Sequence, residues 1–335
     1  MRIIRHHAEV PEVGRGAAVA IGNFDGVHLG HQAVIAQAAR IARAQGLPFG
    51  VLTFEPHPRA FFQPDLPPFR LTPFRIKARQ LEAMGVEHLV VLHFDGTLAA
   101  KSAETFVAEV LGEGLAVAHV IVGYDFVFGR GRRGNAALLR ELGARHGFAT
   151  TTVPAAATAD GEVYSSTRIR EHLRAGRPQH AARLLGRPWE IEGRVEHGER
   201  LGRRLGFPTA NLTLGEYLEP ARGIYAVKAG IDEGVGTRWR DGVASLGTRP
   251  TVGGTQLQLE VHLFDFAGDL YGHHLRVAFI DHLRPEVRFP SLEALAAQIA
   301  ADAEAARAIL ASWRGPQPGA GDPSVPPPGD GELET

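Results

Sequence analysis

The stretch Gly22-Asn23-Phe24-Asp25-Gly26-Val27-His28-Leu29-Gly30-His31 sets two imidazoles three residues apart in a glycine-rich turn. An apolar run, Ala17–Ile21, precedes it, and a helical pattern begins near Gln32. That order reads as strand, tight loop and helix start. A helix N-terminus attracts anions, because its first N–H groups lack partners and its dipole is positive there. Two imidazoles beside such an end make a compact site for charge developing on phosphate. Gly30 carries no Cβ, so a flat ring can approach the backbone closely. The same residues also fit a plainer account, in which His28 and His31 are polar residues of a helix cap and the glycines serve the turn.

Other segments offer walls for such a site. Pro56 and Pro58 fix a loop that presents His57 and Arg59. Val122–Phe126, which includes Asp125, runs into the glycine- and arginine-rich Phe128–Asn135, a composition suited to anionic ligands or to a solvated loop. Ser165-Ser166-Thr167-Arg168-Ile169-Arg170 opens a helix. Its hydroxyls and N–H groups, with Arg170 a turn later, suit distal phosphates, and a simple Ser/Thr cap suits the same residues. The absence of cysteine rules out a thiol nucleophile, and no Ser-His-Asp arrangement appears. No Gly-x-Gly-x-x-Gly follows the first strand, which argues against an ordinary dinucleotide-dependent dehydrogenase. Taken together the segments favour nucleotidyl transfer over hydrolysis.

A second group lies further on. In Gly202–Asn211, Thr209 and Asn211 flank Ala210, so an extended backbone sends both oxygens the same way. A hydroxyl and an amide oxygen are hard ligands, suited to Mg²⁺ bridged to nucleotide phosphates, and equally at home in a proline-containing turn. In Leu257–Phe264, Gln258, Glu260 and His262 share one strand face. Glu260 is either solvated or the base that takes a proton from a substrate hydroxyl. No Gly-x-x-x-x-Gly-Lys-Ser/Thr occurs, so a kinase here is not of the P-loop type.

The elements that must position these residues follow two grammars. Strand-like runs near Ala17–Ile21, Phe49–Phe54, His88–Leu92, His119–Gly123 and Ala149–Val153 alternate with helical stretches near Gln32–Gln45, Pro73–Met84, Ser102–Leu111 and Asn135–His146. This predicts a Rossmann-like, doubly wound parallel α/β sheet, whose strand ends form a nucleotide crevice. Two short helices fill Ser165–Leu185, and a boundary is placed near Gly186. Five short alternating runs between Trp189 and Phe279, separated by glycine-rich turns, predict a small antiparallel barrel or sandwich, the barrel being preferred. Ser291–Trp313 predicts a C-terminal helix capped by Ser291 and packed on the barrel through Leu292, Leu295, Ile299 and Ile309. The expected domains are residues 1–186 and 187–314, followed by a disordered Pro/Gly-rich tail, 315–335.

The 335 residues suffice for two domains, and 44% apolar composition for two cores. A net charge of −1 gives no basic field for nucleic acid or membrane. No signal-like core and no apolar stretch of about 18 residues occurs, so a cytoplasmic location is expected. A homo-oligomer is compatible with everything above.

The motifs Gly22–His31, Pro56-His57-Pro58, Phe128–Asn135, Ser165-Ser166-Thr167, Gly206-Phe207-Pro208-Thr209-Ala210-Asn211, Gly247–Thr251, Leu259–Asp265 and Leu270-Tyr271-Gly272 together resemble the bacterial bifunctional riboflavin kinase/FMN adenylyltransferase (FAD synthetase) family, in family order from about Ala17 to Ala306. The resemblance implies that the second domain phosphorylates the riboflavin 5′-hydroxyl with ATP and Mg²⁺. There Glu260 is the base, and Thr209 and Asn211 meet the metal and the ATP phosphates. It implies that the first domain joins FMN to a second ATP, giving FAD and pyrophosphate. His28 and His31 then act around the α-phosphate, with Gly30 between them. Ser166, Thr167 and Arg170 hold distal phosphates, and Asn23 and Asp125 contribute nucleotide or metal contacts. Two departures stand out. Val163 replaces a basic residue common two positions before the first serine of Ser-Ser-Thr, and Ser245 stands where many members have Asn. An adenylyltransferase alone, with the barrel as flavin-binding support, and a flavin-binding regulator without catalysis are the competing readings. The presence of His28, His31, Thr209, Asn211 and Glu260 argues against both.

Overall fold

A computed structural model describes residues 1–7, 11–197, 206–232, 236–251 and 254–315, without the side chains of 13, 249–251 and 254–256. The expected tail beyond Gly315, and Gly202–Leu205 of the second motif group, lie outside the described residues. By packing the described residues form two units, one within 1–66 and 74–165, the other within 67–73 and 166–315.

In the first unit the apolar runs become β2 (Ala18–Ile21), β3 (Phe49–Glu55), β4 (His88–His93), β5 (His119–Gly123) and β8 (Ala149–Val153). With β1 (Arg2–Ile4) they form a six-stranded sheet in the order β1-β4-β3-β2-β5-β8, with neighbouring strands parallel. The strands read as unbroken apolar runs because both faces are buried. Ala18 and Ala20 pack with Ile35 and Ala38 of α1 (Leu29–Gln45), while Val19 and Ile21 pack on the other side with Val107, Leu111 and Leu139. The short β1 escaped the periodicity because only Ile4 of its three residues is buried. The expected Ser102–Leu111 helix is α-helical over Ala103–Thr105 and π-helical over Phe106–Gly114. From β2 the chain runs outward to β3 and β4 and then returns to β5 on the opposite side of β2. The loops leaving β2 and β5 therefore flank a topological switch point, where such sheets bind ligands.

In the second unit, helices at Ser166–Arg174 and Pro178–Leu185 precede β9 (Trp189–Arg194), β10 (Ala210–Thr213), β11 (Gly223–Asp232), β12 (Thr237–Thr251), β13 (Gly254–Leu263) and β14 (His274–Arg284). These strands form an antiparallel sheet in the order β10-β13-β12-β11-β14-β9. Beyond β9, the Glu196 N–H donates to the Asn211 carbonyl at 2.9 Å, joining the two outer strands and curling the sheet into a small barrel. Trp189, Tyr225 and Phe279 are buried within it and meet ring to ring at 4.9–5.2 Å.

The C-terminal helix spans Leu292–Ser312, and Ser291 accepts the Ala294 N–H as its cap. Its buried face matches the expected one at Ile309, which packs against the barrel cluster, and departs from it at Leu292. Leu292 is 51% exposed, and Ala303, Ala306 and Leu310 pack on Ala226, Val243, Phe264 and Ile280 of the barrel. Alanines let the helix approach closely, and the buried Asp302 on that stretch is paired with Arg284 at 2.6 Å. Residues Pro67–Pro73 belong to this unit. Arg70 pairs with Tyr217, and the buried Trp189 indole donates to the Leu71 carbonyl at 2.9 Å. No helix among the described residues is long and apolar enough to cross a membrane.

Candidate active sites

After β2 the chain turns through Phe24 (φ 49°) and Val27 (φ 42°), two residues in the left-handed region that Cβ atoms disfavour. Both are buried, 2% and 1% exposed, so packing holds strain at the mouth of the crevice. The helix begins at Leu29, three residues earlier than expected, because His28 itself caps it. The His28 Nδ1 accepts the His31 N–H at 3.3 Å. Accepting there fixes the neutral ring as the Nε2–H tautomer, which makes Nε2 a donor. The two imidazoles stack at 3.5 Å with planes 20° apart, and Phe24 meets His31 edge-on at 5.3 Å. The ring thus caps the helix through Nδ1 and keeps Nε2–H for another partner. A Cβ on Gly30 would lie 3.2 Å from the His28 ring and from Tyr164, so glycine keeps this stack closed on itself.

Further candidate residues stand at the neighbouring strand ends of the first unit. Asn23 is exposed, and its carbonyl accepts the Thr53 hydroxyl at 3.3 Å. Asp125 is exposed at the end of β5, with Oδ1 3.3 Å from where a Gly123 Cβ would stand. His57 caps the short helix Pro58–Phe62 through Nδ1 and the Arg59 N–H at 3.1 Å. A hairpin formed by β6 (Val127–Phe128) and β7 (Gly134–Asn135) carries the exposed Arg130, Arg132 and Arg133.

Two features here were missed in the sequence. Lys77, one of three lysines, is fully buried and reaches Glu55 at 3.0 Å and the Thr53 hydroxyl at 3.4 Å. It ties the β3 end to the loops of Asn23 and His57. Phe61 and Phe62 are 37% and 63% exposed and stand with Phe94 at 5.4 and 5.7 Å, an apolar wall suited to a flat aromatic ligand. Lone phenylalanines and a lysine at helical spacing carried no signal of either role.

Ser166, Thr167 and Arg170 lie in the second unit, on the helix that Ser166 opens. Arg170 is buried, donates through Nε to the Phe69 carbonyl at 2.9 Å and lies over the Phe69 ring at 5.6 Å.

In the barrel, antiparallel register sets Asn211 directly opposite Glu260, and Glu260 directly opposite Ser245. Cross-strand partners share a face with Cβ atoms about 5 Å apart, so the three form one row. Ser245, noted above only as a departure, is thus Glu260's neighbour. Asn211 is 4% exposed, and its Oδ1 is buried with no hydrogen-bond partner among the described residues. An orphaned carbonyl oxygen of this kind carries a desolvation cost that a cation or a donor relieves. Its Nδ2 reaches the Thr209 carbonyl at 3.5 Å. Among the described residues no three His, Cys, Asp or Glu side chains gather as a metal cage. One amide and one hydroxyl oxygen nevertheless fit Mg²⁺, which keeps waters and takes most other ligands from substrate phosphates. His262, on Glu260's face, bonds the Pro208 carbonyl through Nδ1 at 2.8 Å.

A family model for FAD synthetase matches residues 10–168, and one for riboflavin kinase matches residues 185–310. A bifunctional riboflavin kinase/FMN adenylyltransferase of Pseudomonas fluorescens is 46% identical over 314 residues, covering 93% of this chain and 98% of the relative. That of Escherichia coli K12 is 43% identical over 307 residues, covering 92% and 96%. The chain belongs to the bifunctional riboflavin kinase/FMN adenylyltransferase family. A solved structure described as a macrolide-efflux protein from Streptococcus pneumoniae is 31% identical, with a TM-score of 0.80 over 93% of this chain and 99% of that one. It supports the fold over nearly the whole chain. The two family models meet between residues 168 and 185, a stretch that spans most of the helices opening the second unit. The match to the family covers both the imidazole stack and the Asn211–Glu260–Ser245 row.

Proposed function

We propose that this chain converts riboflavin to FMN and FMN to FAD, with residues 187–314 carrying the first step and residues 1–186 the second. In the first, the Glu260 carboxylate takes the proton of the riboflavin 5′-hydroxyl as its oxygen attacks the γ-phosphorus of ATP, and ADP leaves. Thr209 and Asn211 Oδ1 are the groups that would hold Mg²⁺, which when bound offsets charge on the phosphates. Glu260 and Asn211 face the substrates from adjacent strands, so orientation is supplied by the sheet itself.

In the second step a phosphate oxygen of FMN attacks the α-phosphorus of a second ATP, and pyrophosphate leaves. His28 and His31 donate to the oxygens on which charge grows, beside the N–H groups of the first helical turn. Asn23 and Asp125 serve nucleotide or metal contacts, and Ser166, Thr167 and Arg170 serve the distal phosphates. The exposed Phe61 and Phe62 offer a stacking surface for the isoalloxazine ring. A cytoplasmic location, where ATP is supplied, is part of the proposal.

The observation that carries the assignment of two separate centres is that the imidazole stack lies in one packing unit and the Asn211–Glu260 pair in the other. The test is a time course with riboflavin, ATP and Mg²⁺, in which FMN appears first and FAD follows. Glu260→Ala blocks FMN formation yet still turns added FMN into FAD, and His31→Ala does the reverse. Loss of both activities in either folded variant refutes two independent centres.

A further inference from the structure

We infer that His262 is a positioning residue for phosphoryl transfer, acting through the Phe207–Thr209 segment. The inference rests on the kinase reading of the barrel. The β10–β13 ladder runs from Thr213–Gln258 to Ala210–Val261 and stops. One step further in the same register, Thr209 would face His262, and Pro208 comes next. Proline has no N–H to give a ladder, so main-chain pairing cannot hold this segment against β13 in the usual way. A side chain does so instead. The Pro208 carbonyl can only accept, so the 2.8 Å contact requires a proton on His262 Nδ1.

The ring is also held. It meets Phe207 edge-on at 5.4 Å and Phe264 at 5.9 Å, and Phe264 sits in the cluster that the C-terminal helix covers. His262 therefore transmits the rigidity of a packed strand face to the residue just before Thr209. Thr209 and Asn211 then stand at a fixed spacing on either side of Ala210. Octahedral Mg²⁺ tolerates little displacement of its ligands, and phosphoryl transfer depends on placement more than on covalent chemistry. Loosening one carbonyl anchor thus reaches the reaction without any contact between His262 and substrate.

Two substitutions separate the hydrogen bond from the ring. His262→Phe keeps an aromatic ring against Phe207 and Phe264 and deletes the donor. His262→Asn removes the ring and keeps an N–H close to the position of Nδ1. In the full chain, His262→Phe should lower kcat/KM for riboflavin phosphorylation about tenfold, the scale of one hydrogen bond, and raise the Mg²⁺ concentration needed for half-maximal rate. His262→Asn should recover most of that loss. FMN adenylylation, assayed in the same samples with added FMN, should match wild type in both. Without any ligand, amide exchange at Thr209–Leu212 should quicken in His262→Phe and not in His262→Asn. Wild-type kinase kinetics in His262→Phe, or an equal loss in the two variants, overturns the role of the donor. Unchanged exchange at Thr209–Leu212 in His262→Phe overturns the route through that segment. Failure of the wild-type chain to make FMN would instead overturn the kinase reading, and this inference with it.

Discussion

At the scale of single residues, one side chain here can serve structure and chemistry at once. His28 caps its helix with Nδ1 and keeps Nε2 as a donor. Nothing need be sacrificed for the proposed phosphate site, because a helix N-cap wants an acceptor and a phosphate wants a donor. The weak point is the gap at Gly30. Replacing it with Ala puts a methyl 3.2 Å from both the His28 ring and Tyr164 Cβ, so one neighbour must move. Because reacting groups tolerate little misplacement, Gly30→Ala should cut kcat/KM for FMN adenylylation by about tenfold or more. Riboflavin phosphorylation should stay at the wild-type rate. Steady-state assays of the two reactions on one preparation check this, and equal effects on both would mean a general loss of folding.

Elements bring their own electrostatics. His119 opens β5 with 8% exposure and bonds the Thr151 hydroxyl of edge strand β8 at 2.8 Å. Burial holds its pKa below the usual value for histidine. The folded state then binds fewer protons than the unfolded state just below about pH 6.5, the unperturbed value. Stability is therefore complete above that pH and is lost as pH falls toward the folded pKa. Thermal midpoints of the first unit should fall between pH 7 and 5, and His119→Gln, which cannot titrate, should flatten the fall. An unchanged slope would remove His119 as its source. The C-terminal helix shows a different element-level rule. Its contact face is set by small Ala303 and Ala306, whereas the larger Leu292 at its start stays exposed.

For the whole molecule, domain limits taken along the chain differ from groupings made by packing. Pro67–Pro73 lies deep within the first 186 residues, yet supplies the Leu71 carbonyl to Trp189, the Phe69 carbonyl to Arg170 and a pairing for Tyr217. A fragment of residues 187–314 lacks all of these. The Trp189 N–H, buried at the start of the barrel, then loses its acceptor, a deficit of about 1–3 kcal/mol. Such a fragment should retain riboflavin kinase activity and unfold about 4 °C or more below the barrel of the full chain, followed by tryptophan fluorescence. Equal midpoints would show that Pro67–Pro73 contributes nothing to barrel stability.

The sequence by itself determined the parallel sheet, the barrel, the helix capped by Ser291 and the motifs that carry chemistry. Apolar period and turn residues are local properties, and a strand buried on both faces, such as Ala18–Ile21, reads plainly as one. It also held Thr209, Asn211 and Glu260 as separate candidates. Only the tertiary structure decided that Asn211, Glu260 and Ser245 form one row, since strand register joins residues 15–49 positions apart. The same holds for Lys77 against Glu55, His262 against Pro208, and Leu71 over Trp189. Each of these bonds is long-range. Its partner is chosen by how elements pack, and no local pattern in either segment records that choice.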